Sequence, residues 1–347
     1  MSRPKRLVLA GLAFLILAAL LVRSILTDPR WRAFDSQAFL NDLLSVDKSW
    51  MGWALLSIYL TYVVRSLRWK VLLRQMRPDA SLWNLISATV VGFAAIGLFG
   101  RAGEMVRPVL IARKEKVSIS SQIAIWFIER AFDTITVLIC VAFALRSFEA
   151  AGLSSSPTLT RALHTSGALV GYSTLGVAAL LVALRNTSEK ATEWLLRRLR
   201  FLPQRQLDKI KRTLHAFIEG SRGLRQLDTL LGCIFYSVLE WALIAFCYNS
   251  VFNSFSGGMR LGLNELLIFM GCVMGGSMIQ IPGLGGGTQV ASLLVLTDVL
   301  GVQPEVAASI SLLIWVFTFL VVIPPALVLA FFEGLSWGKL KRLESES

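Results

Sequence analysis

The sequence predicts an all-α polytopic membrane protein: six transmembrane helices plus two oppositely oriented re-entrant hairpins, arranged as an inverted-topology repeat. Three observations predict it. The 347 residues are 55% hydrophobic and only 16% charged, whereas soluble domains carry about a quarter charged residues. Two Gly- and Pro-rich breaks, Gly97–Glu104 and Ile281–Gln289, interrupt otherwise apolar stretches, one in each half. The basic residues are spread very unevenly over the connecting segments, as expected when they mark the cytoplasmic side.

A spanning helix needs about 20 mostly apolar residues. The stretches that meet this are Leu7–Leu26, Trp50–Leu73, Ser121–Leu145, His164–Leu184, Thr229–Phe252 and Pro304–Phe332. Leu7–Val22 follows Arg3, Lys5 and Arg6 as a signal peptide would. No small-residue cleavage site precedes Asp28-Pro29, so it reads as an uncleaved first helix.

Two more apolar stretches, Leu82–Phe99 and Leu263–Ile281, each run into a break and are followed by short helical stretches, Gly103–Ala112 and Thr288–Leu300. Pro has no backbone donor and Gly does not restrain the backbone, so neither break continues a helix. Within hydrocarbon, broken backbone survives only where protein buries it or where it lines a wet cavity. Discontinuous helices of this kind are where membrane transporters bind cargo.

Charge sets the direction of the two hairpins. Arg65, Arg68, Lys70, Arg74 and Arg77 precede the first, and Arg101, Arg107, Arg113, Lys114 and Lys116 lie in or after it. A hairpin entering from the cytoplasm keeps both clusters inside. The second is flanked by Arg260 alone, as for entry from the outer face. With both termini cytoplasmic, the basic residues left outside are Arg23, Arg30, Arg32, Lys48, Arg146, Arg161 and Arg260. Arg65 and Arg68 read as residues that snorkel to the inner interface.

The whole chain, 1–347, is then one membrane domain. Residues 1–147 form the first repeat, with its re-entrant segment at 82–113. Residues 164–184 plus 229–335 form the second, re-entrant at 263–300. At a single offset Gly92, Gly103 and Val106 match Gly276, Gly287 and Val290. Residues 185–228 connect the repeats. There Leu207, Ile210, Leu214, Phe217, Ile218 and Leu224 recur at helical spacing between Arg205, Lys209, Lys211 and Arg212. This pattern fits a basic amphipathic helix on the inner leaflet, or a solvated connector. Residues 33–44 form another short amphipathic stretch, at the outer interface.

The net charge of +13 follows from cytoplasmic loops that face anionic lipid, so nucleic acid is not the expected partner. Cys140, Cys233, Cys247 and Cys272 fall in apolar spans without CxxC spacing or a nearby His, which predicts neither disulfides nor a metal site. The Gly283–Gly287 run lacks the Lys-Ser/Thr of a phosphate loop, which excludes a nucleotide hydrolase. No nucleophile–His pair is evident, so neither catalytic residues nor a cofactor are expected.

Two groups could carry function. Glu129, Arg130 and Asp133 lie about mid-bilayer, near the tenth residue of a span at about 1.5 Å rise per residue. Glu129 and Asp133 share a face. Intramembrane charges mark functional sites by default, while an internal salt bridge with Arg130 or another Arg fits equally. Arg101, Glu104 and Arg107 surround the first break. A helix starting near Gly103 would aim its N–H groups into that break, making an anion site with the Arg side chains. The same three residues also fit a cytoplasmic boundary, with Glu104 and Arg107 paired at i, i+3. Glu240 sits alone in mid-span and needs a partner, such as Arg65 or Arg130.

Together, three pieces resemble the flippase-like membrane family that includes the lysylphosphatidylglycerol synthase transmembrane region. They are Gly103-Glu104-Met105-Val106-Arg107-Pro108, Glu129-Arg130-Ala131-Phe132-Asp133 and the Pro282-Gly283 loop. The family loop carries a Glu where this chain has Gln289. The resemblance implies lipid translocation between leaflets of an inner membrane, with Gly283, Gly285, Gly286, Gly287 and Gln289 joining the two polar groups around an anionic or modified lipid headgroup. Two other readings remain open: a membrane-embedded glycosyl- or headgroup-transferase using Glu129 or Asp133 as base, and a non-catalytic scaffold for a lipid-modifying enzyme.

Overall fold

The computed structural model describes residues 29–150, 172–173, 175–177, 179, 211, 219–220, 222–255, 259–277, 280–281 and 285–332. The predicted spans Leu7–Leu26 and His164–Leu184 lie wholly or largely outside these residues, as does most of the 185–228 connector.

The described chain is helical apart from one two-residue antiparallel pairing. In chain order the helices are α1 (Ser36–Leu44), α2 (Lys48–Leu73), α3 (Leu82–Phe99), α4 (Val106–Glu115), α5 (Ile119–Ala150), α6 (Leu227–Asn253), α7 (Leu263–Ser277), α8 (Gly287–Leu294), α9 (Pro304–Trp315) and α10 (Ile323–Phe332). Strands β1 (Gln280–Ile281) and β2 (Gly285–Gly286) pair Gln280 with Gly286 and Ile281 with Gly285. By length and apolar content α3, α6 and the stretch Pro304–Phe332 can each cross a bilayer. α2 is 26 residues long and α5 is 32, so each has the length to cross at about 1.5 Å per residue.

Local signals start the helices. Asp35 and Asp47 cap α1 and α2, accepting from the Gln37 and Ser49 N–H groups at 2.8 and 2.7 Å. Such caps satisfy donors that a helix start leaves orphaned. Pro304 opens α9, a position where the missing N–H costs nothing. The stretch Pro304–Phe332, predicted as one span, is interrupted. A π-helical turn, Val316–Leu320, separates α9 from α10, and the Tyr59 hydroxyl donates to the Val321 carbonyl at 2.9 Å. A second π-turn, Val295–Val299, continues α8.

Both breaks fold their flanking helices back on each other. α3 passes through the 3₁₀ turn Gly100–Met105 into α4, which packs along α3. The open ends are tied: the Glu115 carboxylate at the end of α4 accepts from the Ser81 N–H at 3.3 Å and from Asn84 Nδ2 at 2.8 Å, both at the start of α3. The chain therefore enters and leaves this hairpin at the same end. α7 and α8 form the second hairpin through β1 and β2.

Glycine makes both hairpins possible. A Cβ on Gly103 would strike the Ala95 carbonyl, and one on Gly276 would strike the Gly287 carbonyl. A Cβ on Gly92 would lie 2.6 Å from Arg107 Cβ, and one on Gly276 2.5 Å from Ala291 Cβ. The same displacement along the chain separates Gly92 from Gly276 and Arg107 from Ala291.

Buried side chains form two cores. One joins the C-terminal half of α2 to α3, α4 and α5, through Tyr62, Trp69, Leu85, Val106 and Ile128. The other joins the N-terminal part of α2 to α6 through α9, through Ile58, Ile244, Phe252, Phe269 and Ile310. α2 and α6 pack against each other and reach into both cores. Large apolar side chains also point outward, among them Leu56, Ile139, Phe235, Val238, Leu327 and Phe331, the surface expected of a protein solvated by lipid chains.

Gly103→Ala and Gly276→Ala should each lower stability by about 1–3 kcal/mol through overpacking against backbone. Gly52→Ala, which meets nothing within 4 Å, should not. Thermal unfolding in detergent checks this, and unchanged melting of Gly103→Ala would contradict the close helix approach.

Candidate functional site

The polar centre of the protein lies where the two cores meet. On α2, buried positions recur as Ile58, Thr61, Tyr62, Arg65, Arg68, Trp69 and Leu72, so the helical period that buries Ile58 and Tyr62 buries both arginines too. Arg68 is fully buried and Arg65 nearly so, at 8% exposure. This corrects the interfacial reading of these residues. Their heads turn inward because α5 and α6 present carboxylates there.

Arg68 is the hub. Its Nη1 donates to Asp133 Oδ1 at 2.7 Å and to Ser237 Oγ at 2.8 Å. Its Nη2 donates to Glu129 Oε1 at 2.8 Å and lies 3.1 Å from Glu240 Oε2. The Ser237 hydroxyl in turn donates to the Cys233 carbonyl at 2.7 Å. One guanidinium thus meets three carboxylates from two helices. The planar fork spreads these contacts over two nitrogens, a reach the single nitrogen of an ammonium lacks.

Three more arginines complete the network. Arg65 pairs with Glu240, stands 3.6 Å from Asp133 Oδ2 and lies over the Phe93 ring. Arg130 pairs with Asp133 at 3.0 Å and stands 3.9 Å from Glu129, with 35% of its side chain exposed. Arg107 Nη1 donates to both Glu129 oxygens, at 2.9 and 2.8 Å, and its Nη2 donates to the Arg65 carbonyl at 3.2 Å. Its guanidinium stacks on Trp69, whose own N–H donates to Gln122 Oε1 at 2.9 Å. Glu129, Asp133 and Glu240 are each at most 2% exposed.

Such a network is costly to desolvate and persists only when each carboxylate is met by several donors. Here each carboxylate stands within ion-pair distance of at least two arginines. Glu129 is shared by Arg68 and Arg107, Asp133 by Arg68 and Arg130, and Glu240 by Arg65 and Arg68.

A cleft of about 190 Å³ opens beside the network. Its polar end is Arg65, Arg130, Asp133 and Glu104. Its walls are apolar and come from both hairpins, Phe93 and Ile96 from the first and Met270, Val273 and Met274 from the second. Trp241 of α6 and Thr288 of α8 also line it. Sequence reading finds Glu104, Arg130 and Asp133 here. It misses Arg65, Trp241 and Thr288.

The other predicted site residues fall elsewhere. Arg107 does not stand at an open anion site, because its guanidinium is turned to the internal Glu129 and it is 4% exposed. The Arg101 backbone lies in the 3₁₀ turn. Gly283 lies outside the described residues. Gly285 and Gly286 form β2, and Gly287 begins α8. Gln289 Oε1 accepts from the Gly286 N–H at 2.6 Å and so holds the start of α8. A Glu in its place would accept the same bond. Among the described residues no three His, Cys, Asp or Glu side chains stand together as metal ligands.

Arg68→Met should cost about 3–5 kcal/mol, because it strands buried carboxylates. Arg130→Met should cost less, since its head is partly solvated and Asp133 keeps Arg68. Adding Glu240→Gln to Arg68→Met should recover part of the loss, a coupling that thermal unfolding of the single and double variants reads out. Equal losses for Arg68→Met and Arg130→Met would remove Arg68 from the centre of the network.

The sequence model of one family, described as the lysylphosphatidylglycerol synthase TM region, matches residues 8–326. No curated protein and no solved structure matches the chain. The match runs through both hairpins and every helix that supplies the ion network, and the chain belongs to the family of the lysylphosphatidylglycerol synthase transmembrane region.

Proposed function

We propose that this protein carries a lipid headgroup, anionic or modified, between the leaflets of an inner membrane, with the chain tails left in the bilayer. The observation that carries this reading is the cleft. It is lined by both hairpins, its walls are apolar, and its polar end rests on a buried, rigidly paired ion network. The family adds a tie to membrane lipids.

The topology belongs to the same proposal: six full spans, both termini cytoplasmic, and two re-entrant hairpins in an inverted repeat. The equivalent contacts Gly92–Arg107 and Gly276–Ala291 support the repeat. The tie of Glu115 to Ser81 and Asn84 supports a first hairpin that opens on one side. The reading is of a transporter and not an enzyme. Glu129 and Asp133, the groups a transferase would use as base, are already engaged by arginines.

Proteoliposomes with fluorescent phospholipids should show protein-dependent exchange of label between leaflets, read by quenching from outside. Exchange no faster than in protein-free vesicles would overturn the proposal, and appearance of a new lipid product would favour the transferase. A cysteine at Ser118 should react only with reagents reaching the cytoplasm. Labelling from outside would overturn the first hairpin's direction.

A further inference from the structure

Five buried polar atoms of cleft-lining residues have no hydrogen-bond partner among the described residues: Arg65 Nη1, Trp241 Nε1, Thr288 Oγ1, Arg130 Nε and Asp133 Oδ2. Arg130 and Asp133 are ion-paired with each other at 3.0 Å, which leaves Arg65 Nη1, Trp241 Nε1 and Thr288 Oγ1. They come from α2, α6 and α8, so no local sequence pattern groups them. Arg65 is 8% exposed and Thr288 3%. Arg65 Nη1 has only Asp133 Oδ2 nearby, at 3.6 Å, too far for a hydrogen bond. Buried donors left unpaired are costly, and an orphan in a native structure calls for an explanation. Here the three orphans share one space.

We propose that these three atoms are the seat for the phosphodiester oxyanion of a phospholipid headgroup. This rests on the lipid-carrier reading above and adds which groups hold the cargo. Arg65 and Trp241 have only donors to offer, and the Thr288 hydroxyl can donate. A ligand that satisfies all three offers several acceptor oxygens close together, as a phosphodiester does. Thr288 is the second residue of α8, where the orphan N–H groups of a helix start also favour an anion. Asp133 Oδ1 accepts from Arg68 and its Oδ2 is ion-paired with Arg130 at 3.0 Å, so its charge is countered beside the seat. The apolar walls, Phe93, Ile96 and Met270 among them, lead away from the seat and fit the glycerol and upper chain carbons.

The site bridges the two hairpins, since Arg65 packs on Phe93 of the first and Thr288 belongs to the second. An anion bound there would draw α8 toward α2.

The test is isothermal titration calorimetry on the full chain in detergent with three probes: dioctanoyl phosphatidylglycerol, inorganic phosphate and dioctanoylglycerol. The parent protein should bind the phospholipid and not the dioctanoylglycerol. Thr288→Val and Trp241→Phe should each weaken phospholipid binding roughly tenfold, as expected for loss of one hydrogen bond to a charged group, and Thr288→Ser should restore it. Trp315→Phe is the control. Trp315 Nε1 is also buried and unpartnered, but Trp315 does not line the cleft, so its loss should leave binding unchanged.

Parent-level phospholipid binding by both Thr288→Val and Trp241→Phe would overturn the seat, as would equal affinity for dioctanoylglycerol. No binding of either phosphate-bearing probe to the parent would overturn it too. Tight binding of inorganic phosphate, lost in the same two variants, would uphold the anion seat while replacing the lipid by a free anion. Failure of leaflet exchange with phospholipid binding and its variant pattern intact would defeat the carrier reading and leave the seat standing.

Discussion

The guanidinium of Arg68 holds this protein together. It is fully buried, and it meets Asp133, Glu129, Glu240 and Ser237 at once. Its partners lie on α5 and α6, and it lies on α2, so a single side chain fixes the relative height and rotation of three long helices. A shift of any of them by one turn, about 5.4 Å, would separate a charge from its counter-charge in a medium that punishes separation heavily. Apolar packing against lipid cannot supply such register, because lipid tails are as apolar as leucine. The two cores are each built around one hairpin, and the ion network joins them.

This arrangement gives the cleft its properties. The polar end is pre-set, since Arg65, Arg130 and Asp133 are positioned by partners behind the surface and not by the occupant. The apolar walls belong to hairpins whose arms touch through glycine. A Cβ at Gly103 or Gly276 would push the arms apart and alter the walls without touching the charges.

Much of the architecture was legible in the sequence. The folding back at both glycine breaks, the helix start at Pro304 and the shared face of Glu129 and Asp133 follow from local rules of backbone permission and helical period. So does the need of Glu240 for an arginine. The misreading of Arg65 and Arg68 has a clear cause. Linear charge counting joined them to Lys70, Arg74 and Arg77 as one basic cluster. The period of α2 separates them, because Arg65 and Arg68 fall on the stripe of Ile58, Tyr62 and Leu72 while Arg74 is solvent-exposed. Arg107 misled for a related reason: a guanidinium beside a glycine break looks like a ligand site until Glu129 is seen opposite it. The orphan donors Trp241 and Thr288 carry no sequence signal, since an absent hydrogen bond is a property of the folded neighbourhood alone.

The full burial of Arg68 bears on how the protein is made. The chain is synthesised from its N-terminus, so Arg65 and Arg68 leave the ribosome before Glu129 and Asp133, and well before Glu240. On the proposed topology α2 meets the translocon with two arginines and none of its counter-ions, and each arginine near a helix centre disfavours insertion by about 2.5–3.5 kcal/mol. The interfacial placement suggested by the sequence, with long side chains reaching toward headgroups, is the one open to α2 at that stage. Its final depth is available only once α5 and α6 have arrived with the three acids. Synthesis order thus makes α6, through Glu240, the element that completes the ion network.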